Sequence, residues 1–249
     1  MTISRMLALA AITRRRLAVV IQRLPLERRC GRPWSCSLAQ GILITCTALR
    51  TNLTMRELAA SFAISKSAAH RIVSTMTPRL AALAAHDRPD DRRESWVVDG
   101  TLIPTRDHRR AARSKNYRWS CNAQILVRRR DLWIAATTAG GPGNRNDPVH
   151  YRGSRIEALC KQHGRVLADG GYRGIPELVT PTFRGNRILR DRAWRRHRRR
   201  RARVEHAIAR LKNWRILRDH RRRGDHLADT LQAVAFLHNL YVEELRDKP

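Results

Sequence analysis

Apolar residues recur every three or four positions through most of residues 1 to 85, a stretch rich in Ala and Leu, and this period predicts helices throughout. The first apolar stretch, Met1 to Ile12, is followed at once by Arg14, Arg15 and Arg16. Those charges lie on the wrong side for an export signal, so a helix is expected there too. From Ser95 the pattern changes. Four short runs, Trp96–Asp99, Ala123–Val127, Leu132–Thr138 and Arg165–Asp169, are apolar or β-branched and bounded by Gly, Asn or charges, as strands are. Residues 154–162, between the third and fourth runs, read as a helix. A short strand near Leu178–Thr182 follows, then long helical stretches over 191–217 and 225–246. Three strands, a helix, a fourth strand and further helices predict a mixed α/β sheet. The polar segment Asp-Arg-Pro-Asp-Asp-Arg-Arg at 87–93 reads as a linker between a helical domain, 1–90, and an α/β domain, 95–249. No internal repeat is visible, and no apolar run is long enough to span a membrane.

Charge narrows the partners. The chain has 51 Lys and Arg against 21 Asp and Glu, a net charge of +30. A compact body so charged repels itself, and a polyanion relieves that repulsion. Nucleic acid is the expected partner, and a small-molecule enzyme with an ordinary surface is disfavoured. Only five of the basic residues are Lys, an Arg bias that a GC-rich genome also produces. The cysteines (30, 36, 46, 121 and 160) form no CxxC pair, so neither a disulfide framework nor a zinc site is favoured, and a reduced, cytoplasmic protein is expected.

Thr54-Met55-Arg56-Glu57 is a capping box, with Thr at the cap and Glu three residues on. Leu58, Ala59 and Phe62 supply one apolar face, and Ala63-Ile64-Ser65 a short turn. Ser65 can cap a second helix with Ala69, Ile72, Val73 and Met76 inward and Lys66, Ser67, His70, Arg71 and Ser74 outward. This is a helix-turn-helix whose second helix suits a major groove. A helical hairpin with a merely solvated outer face gives the same pattern, and the basic background favours DNA. Lys66, His70 and Arg71 are the expected base or phosphate contacts.

In so basic a chain, acids beside apolar runs stand out. Asp99 closes Trp96-Val97-Val98-Asp99 and Asp169 closes Val166-Leu167-Ala168-Asp169, each followed by glycine. Strand tips of this kind are where α/β sheets build sites, although an Asp after a strand also starts ordinary turns. The third acid is Glu205. At roughly 100° per residue, Val204, Ala207, Ile208 and Leu211 form the core stripe of its helix, and Arg201, Glu205 and Lys212 share one flank. A helical ion-pair row would look similar but would leave the two aspartates unexplained. Phosphodiester cleavage supplies a common reason: it uses two Mg²⁺ held by carboxylate oxygens, within a basic surround that holds the strands.

These residues resemble the DDE-type transposases of bacterial insertion sequences, over about 38 to 241 of the chain. In that resemblance Asp99 stands in Asp-Gly-Thr, Asp169 in Asp-Gly-Gly-Tyr-Arg-Gly, and Glu205 on a later helix, 70 and then 36 residues apart. A family signature of Tyr, Arg, Glu and Lys around the last acid is matched at Arg201, Glu205 and Lys212, with Arg198 in the Tyr position. Gly143-Asn144-Arg145-Asn146-Asp147 is similar to the family's loop after the third strand, and the helix-turn-helix to its N-terminal module. The resemblance implies an RNase H-like catalytic domain behind a helical DNA-binding domain. It implies Asp99, Asp169 and Glu205 as catalytic metal ligands for Mg²⁺ or Mn²⁺, with two ions, and Arg198, Arg201 and Lys212 as contacts to the DNA ends. It further implies a transposase that cuts at the inverted repeats of its element and joins the freed hydroxyls to target DNA, as a homodimer on double-stranded DNA in the nucleoid. Two rivals stand beside it: a DNA-binding regulator with a decayed catalytic domain, and an RNase H-like nuclease without strand transfer.

Overall fold

The computed structural model describes residues 2–25, 36–84, 94–114, 118–224 and 226–247. The expected linker at 87–93 lies outside the described residues. Five helices come first: α1 (Ile3–Ala10), α2 (Arg14–Arg23), α3 (Leu38–Thr51), α4 (Met55–Phe62) and α5 (Lys66–Leu83). The strands and helices that follow are β1 (Trp96–Pro104), β2 (Ala112–Arg113), β3 (Trp119–Arg128), β4 (Ile134–Pro142), α6 (Asp147–Tyr151), α7 (Arg155–His163), β5 (Val166–Leu167) and β6 (Leu178–Val179). A small hairpin, β7 (Phe183–Arg184) and β8 (Arg187–Ile188), precedes α8 (Arg192–Lys212) and α9 (His226–Arg246). The pairing is the expected mixed sheet: order β2-β3-β1-β5-β6, with β4 also on β3. β1, β3 and β4 run antiparallel, and β1, β5 and β6 run parallel.

Helices cover both faces. On one, Val97, Ile125 and Val127 pack against Val204, Leu211 and Phe236 of α8 and α9. On the other, Val98 and Leu126 pack against Tyr151, Ile156, Cys160 and Tyr172. The Asn239 side chain ties α9 to β4 by accepting from the Ile134 N–H (2.8 Å) and donating to its carbonyl (3.0 Å). The N-terminal helices do not form a separate core: Ile42, Leu49, Met76 and Leu80 belong to the same cluster as α9. Only the helix-turn-helix keeps a small cluster of its own, around Ile44, Leu58, Ala69, Ile72 and Val73. Among the described residues, no helix is long and apolar enough to cross a membrane.

One element departs from expectation in a way that matters for the site. The sequence pattern ends the first strand at Asp99, but β1 continues to Pro104 because Gly100 to Pro104 stay paired with Gln124 to Ser120. Asp99 therefore lies within the strand. Its parallel partner β5 is short, and the Trp96↔Val166 and Val97↔Leu167 register, continued by two residues, sets Asp99 beside Asp169. Past that point β1 has no strand beside it on this edge until Thr105, which meets His220 in a single parallel bridge, so among the described residues the site forms where the β1–β5 pairing stops.

Candidate active site and DNA-binding surface

The helix-turn-helix has the local chemistry its sequence requires. The Thr54 hydroxyl accepts from the Glu57 N–H (3.3 Å), and the Glu57 carboxylate accepts from the Thr54 N–H (2.8 Å). The Thr54 N–H and the Thr54 hydroxyl (2.9 Å) both donate to the Glu57 carboxylate and pull it below its ordinary pKa. Ala63 turns in the left-handed region (φ 52°), and the Ser65 hydroxyl accepts from the Ala68 N–H to start α5. Ala69, Ile72, Val73 and Met76 are buried, whereas Lys66, Ser67, His70 and Arg71 are exposed. Ser74, expected on the outer face, is half-buried, and with Thr77 it accepts hydrogen bonds from Arg222.

The acidic site is built from β1, β5 and α8. Val204, Ala207 and Leu211 are buried and hold α8 against the sheet. His197 bonds the Ala168 carbonyl (2.9 Å), and Arg203 donates to the carbonyls of Arg129 and Arg130. This docking brings the Arg201 guanidinium between two acids: one nitrogen lies 2.8 Å from Asp99 and another 2.9 Å from Glu205. The Asp99 side chain is 15% exposed and that of Glu205 60%. Burial raises the Asp99 pKa to about 6; Arg201 opposes the rise, and the charges of Asp169 and Asp147 add to it. Asp169, at the end of β5, accepts from the Gly171 N–H (2.8 Å), so it also makes the local turn that an Asp after a strand makes. Asp99 and Asp169 are thus neighbours, and Glu205 reaches them through Arg201. Among the described residues, no three His, Cys, Asp or Glu side chains converge into a closed metal-ligand set. The donors still suit a hard divalent cation: they are carboxylate oxygens, and one guanidinium supplies the positive charge between Asp99 and Glu205.

A fourth acid stands against them. Asp147 fills the place of the side chain that Gly100 lacks; a Cβ there would collide with its Oδ1. It accepts from Asn122 (2.6 Å) and Gln124 (3.1 Å), and Gln124 in turn accepts from the Tyr172 hydroxyl. Desolvation, then the charges of Asp147, Asp99 and Asp169, hold the Tyr172 phenol above its ordinary pKa. Sequence reasoning places Asp147 only within its loop and misses Asn122 and Gln124. The available signal is the polar alternation Ser120, Asn122, Gln124 in a strand otherwise read as apolar.

A cleft of about 730 Å³ runs along the free edge of β1, between Gly100 and Thr101, the 143–148 loop and Lys212. Burial and the neighbouring Arg218 lower the Lys212 pKa. Arg198 lies exposed one turn before Arg201, its guanidinium 5.6 Å from the Trp194 ring centre. The cleft is lined by Asp147, Arg145 and Lys212 and reaches the neighbourhood of Asp99 and Asp169 through Gly100 and Gly171, so acids and cations stand together along it.

Comparison with known proteins agrees. Residues 98–239 match the family described as DDE superfamily endonuclease, and residues 35–85 match the helix-turn-helix of DDE superfamily endonuclease. The chain is 42% identical over 221 residues to a Streptomyces albus G protein named as a transposase for insertion sequence element IS112, covering 85% of this chain and 83% of that one. Endonucleases of this superfamily are generally dependent on divalent metals. With an α/β sheet carrying the acids, a helix-turn-helix in front of it and a relative this similar, the chain belongs to the DDE superfamily endonucleases and is a transposase of the insertion-sequence type.

Proposed function

We propose that Asp99, Asp169 and Glu205 are the catalytic acids and metal ligands, that the metal is Mg²⁺ or Mn²⁺ with two ions bound, and that the enzyme acts as a homodimer on the double-stranded ends of its element, in the cytoplasm on the nucleoid. The observation that carries this reading is the Asp99–Arg201–Glu205 bridge beside Asp169. The bound metal would supply Lewis acidity, activating the attacking oxygen and offsetting charge on the leaving one. Asp99 and Asp169 would hold it from the sheet, and Glu205 from α8. Arg201 then gives up its carboxylates and turns its fork to a phosphate, a geometry that guanidinium matches well. Lys212 and Arg198 grip the strand on either side. In nicking, the water oxygen forms the new bond to phosphorus, the bond to the 3′ oxygen breaks, and a 3′ hydroxyl leaves. In joining, the oxygen of that hydroxyl forms a bond to a target phosphorus in the same site, the target's bond from phosphorus to its 3′ oxygen breaks, and the target's 3′ hydroxyl leaves. Lys66, His70 and Arg71 contact the terminal repeat through the major groove, which selects the ends to be cut.

The test is nicking of a duplex that carries the element's end, with Mg²⁺ or Mn²⁺. Asp169→Asn and Glu205→Gln should each abolish nicking while binding and folding persist, and the two losses should not multiply because each disables one shared site. Glu205→Gln removes only an exposed i,i+4 pair from the fold, worth about 0.3–0.5 kcal/mol. Undiminished nicking by Glu205→Gln removes that residue from the site.

A further inference from the structure

A second cleft, of about 440 Å³, opens where α1, α2 and α3 meet α9 and the end of α8. It lies away from the acids: on α8, Arg210 points about 140° from Glu205 and about 160° from Lys212 at 3.6 residues per turn. Its floor is apolar, with Leu7, Ala11 and Ile12. Its walls carry three guanidiniums. Arg16 is paired with Glu244 at 2.8 Å. The side chains of Arg50 and Arg210 have no hydrogen-bond or carboxylate partner among the described residues. Each rests instead on an aromatic ring, Arg50 5.8 Å from the Trp214 centroid and Arg210 6.0 Å from that of Tyr241. A guanidinium stacked this way is held in place with its N–H edge still open. Burial, with Arg215 and Arg218 close by, pushes the Arg50 pKa below its ordinary value, and of the three guanidiniums only Arg16 has a carboxylate partner among the described residues.

An anion relieves that charge, and the apolar floor asks for more than an anion. The volume lies within the usual range for small-ligand sites. Two open guanidinium edges suit a phosphate, and the floor suits a flat, weakly polar body. A nucleotide unit has both parts, and the protein's substrate is made of them. Exposed Arg215 and Arg218 act on Arg50, and exposed Arg221, paired with Asp219 at 3.1 Å, acts on Glu57 of α4. A strand engaged by the helix-turn-helix therefore has a basic path to the cleft.

We infer that this cleft binds one unstacked nucleotide of the DNA, its phosphate between Arg50 and Arg210 and its base on the floor formed by Leu7, Ala11 and Ile12. Neither metal nor cleavage is needed to test this, so the result is independent of the catalytic assignment. Calorimetry on the full-length protein would compare deoxyadenosine monophosphate, deoxyadenosine and inorganic phosphate, and then test whether a short single-stranded oligonucleotide displaces the mononucleotide. The mononucleotide should bind at least about tenfold more tightly than phosphate or deoxyadenosine, about 1.4 kcal/mol. Arg50→Gln with Arg210→Gln should remove that advantage. Arg210→Gln alone changes an exposed side chain, so the loss it causes cannot be put down to unfolding if its thermal melt matches wild type. The oligonucleotide should displace the mononucleotide in wild type. The inference is overturned if the mononucleotide binds no better than phosphate or if Arg210→Gln binds it unchanged. Mononucleotide binding that no oligonucleotide displaces would mean a free nucleotide is the ligand, and the DNA assignment fails.

Discussion

Asp99→Asn should stabilise the folded protein at neutral pH while abolishing strand cleavage. The Asp99 side chain is largely buried in β1, and burial is the main reason its pKa is raised from 3.8 to about 6. The Asp169 and Asp147 charges add to the rise, and the Arg201 pairing only partly offsets it. A folded-state pKa above the unfolded value means that the folded protein holds the proton more tightly. The stability from that proton is fully present below about pH 3.8 and is lost as pH rises through about 6. A displacement of about two pH units corresponds to about 3 kcal/mol. Asn carries no charge in either state and escapes this cost. The variant should therefore gain about 2–3 kcal/mol at about pH 7.5, and the gain should fade toward pH 4. Denaturant titrations at both pH values measure the difference, with equal slopes showing that the two proteins unfold alike. Divalent metal should raise the melting temperature of wild type and do so less for the variant, because bound cation neutralises the same charge. A variant equal to or less stable than wild type at about pH 7.5, or a gain that does not shrink on acidification, refutes the reasoning.

Gly100→Ala should cost about 1–3 kcal/mol and depress nicking, since its Cβ would drive Asp147 from the place where Asn122 and Gln124 hold it; a neutral melt and normal nicking would show that this packing is unimportant. Lys66→Ala with Arg71→Ala should weaken binding to the element's end, and the log–log salt slope should fall by about 0.9 for each phosphate that is no longer neutralised. An unchanged slope assigns those side chains to bases or to solvent. A fragment of residues 1–90 should lack a cooperative unfolding transition, because Ile42, Leu49, Met76 and Leu80 pack in a core shared with α9; a sharp transition in the fragment would mean the helices fold on their own.

The legible part of this protein is the part whose cause is local. The capping box at Thr54, the Ser65 cap and the Ala69, Ile72, Val73, Met76 face follow from bonds and periods within a few residues, and each stands in the fold as expected. The core stripe of α8 is equally readable, because Val204, Ala207 and Leu211 have the period of one helix face. The strand over Trp96–Asp99 is only half readable. Its continuation to Pro104 depends on β3 lying alongside, and Gly100 and Pro104 in the run read as terminators. Asp147 carries no local mark of its importance, which comes from Gly100, 47 residues earlier, leaving space for it.

By itself, then, the chain determined its longer helices, the places of β1, β3, β4, β5 and β6, its basic surface and the order of its acids, because these follow from side-chain period, cap chemistry and net charge; β2, α6 and the β7–β8 hairpin left no such mark. Tertiary structure alone decided how the acids meet. Parallel registry of β1 with β5 brings Asp99 to Asp169, and the docking of α8 puts Arg201, rather than Glu205, directly against Asp99. It also decided that the N-terminal helices share a core with α9, which no linker-like composition could reveal. Contacts between residues tens of positions apart leave no periodic trace along the chain; they exist only once loop closure has been offset by burial of the faces that meet.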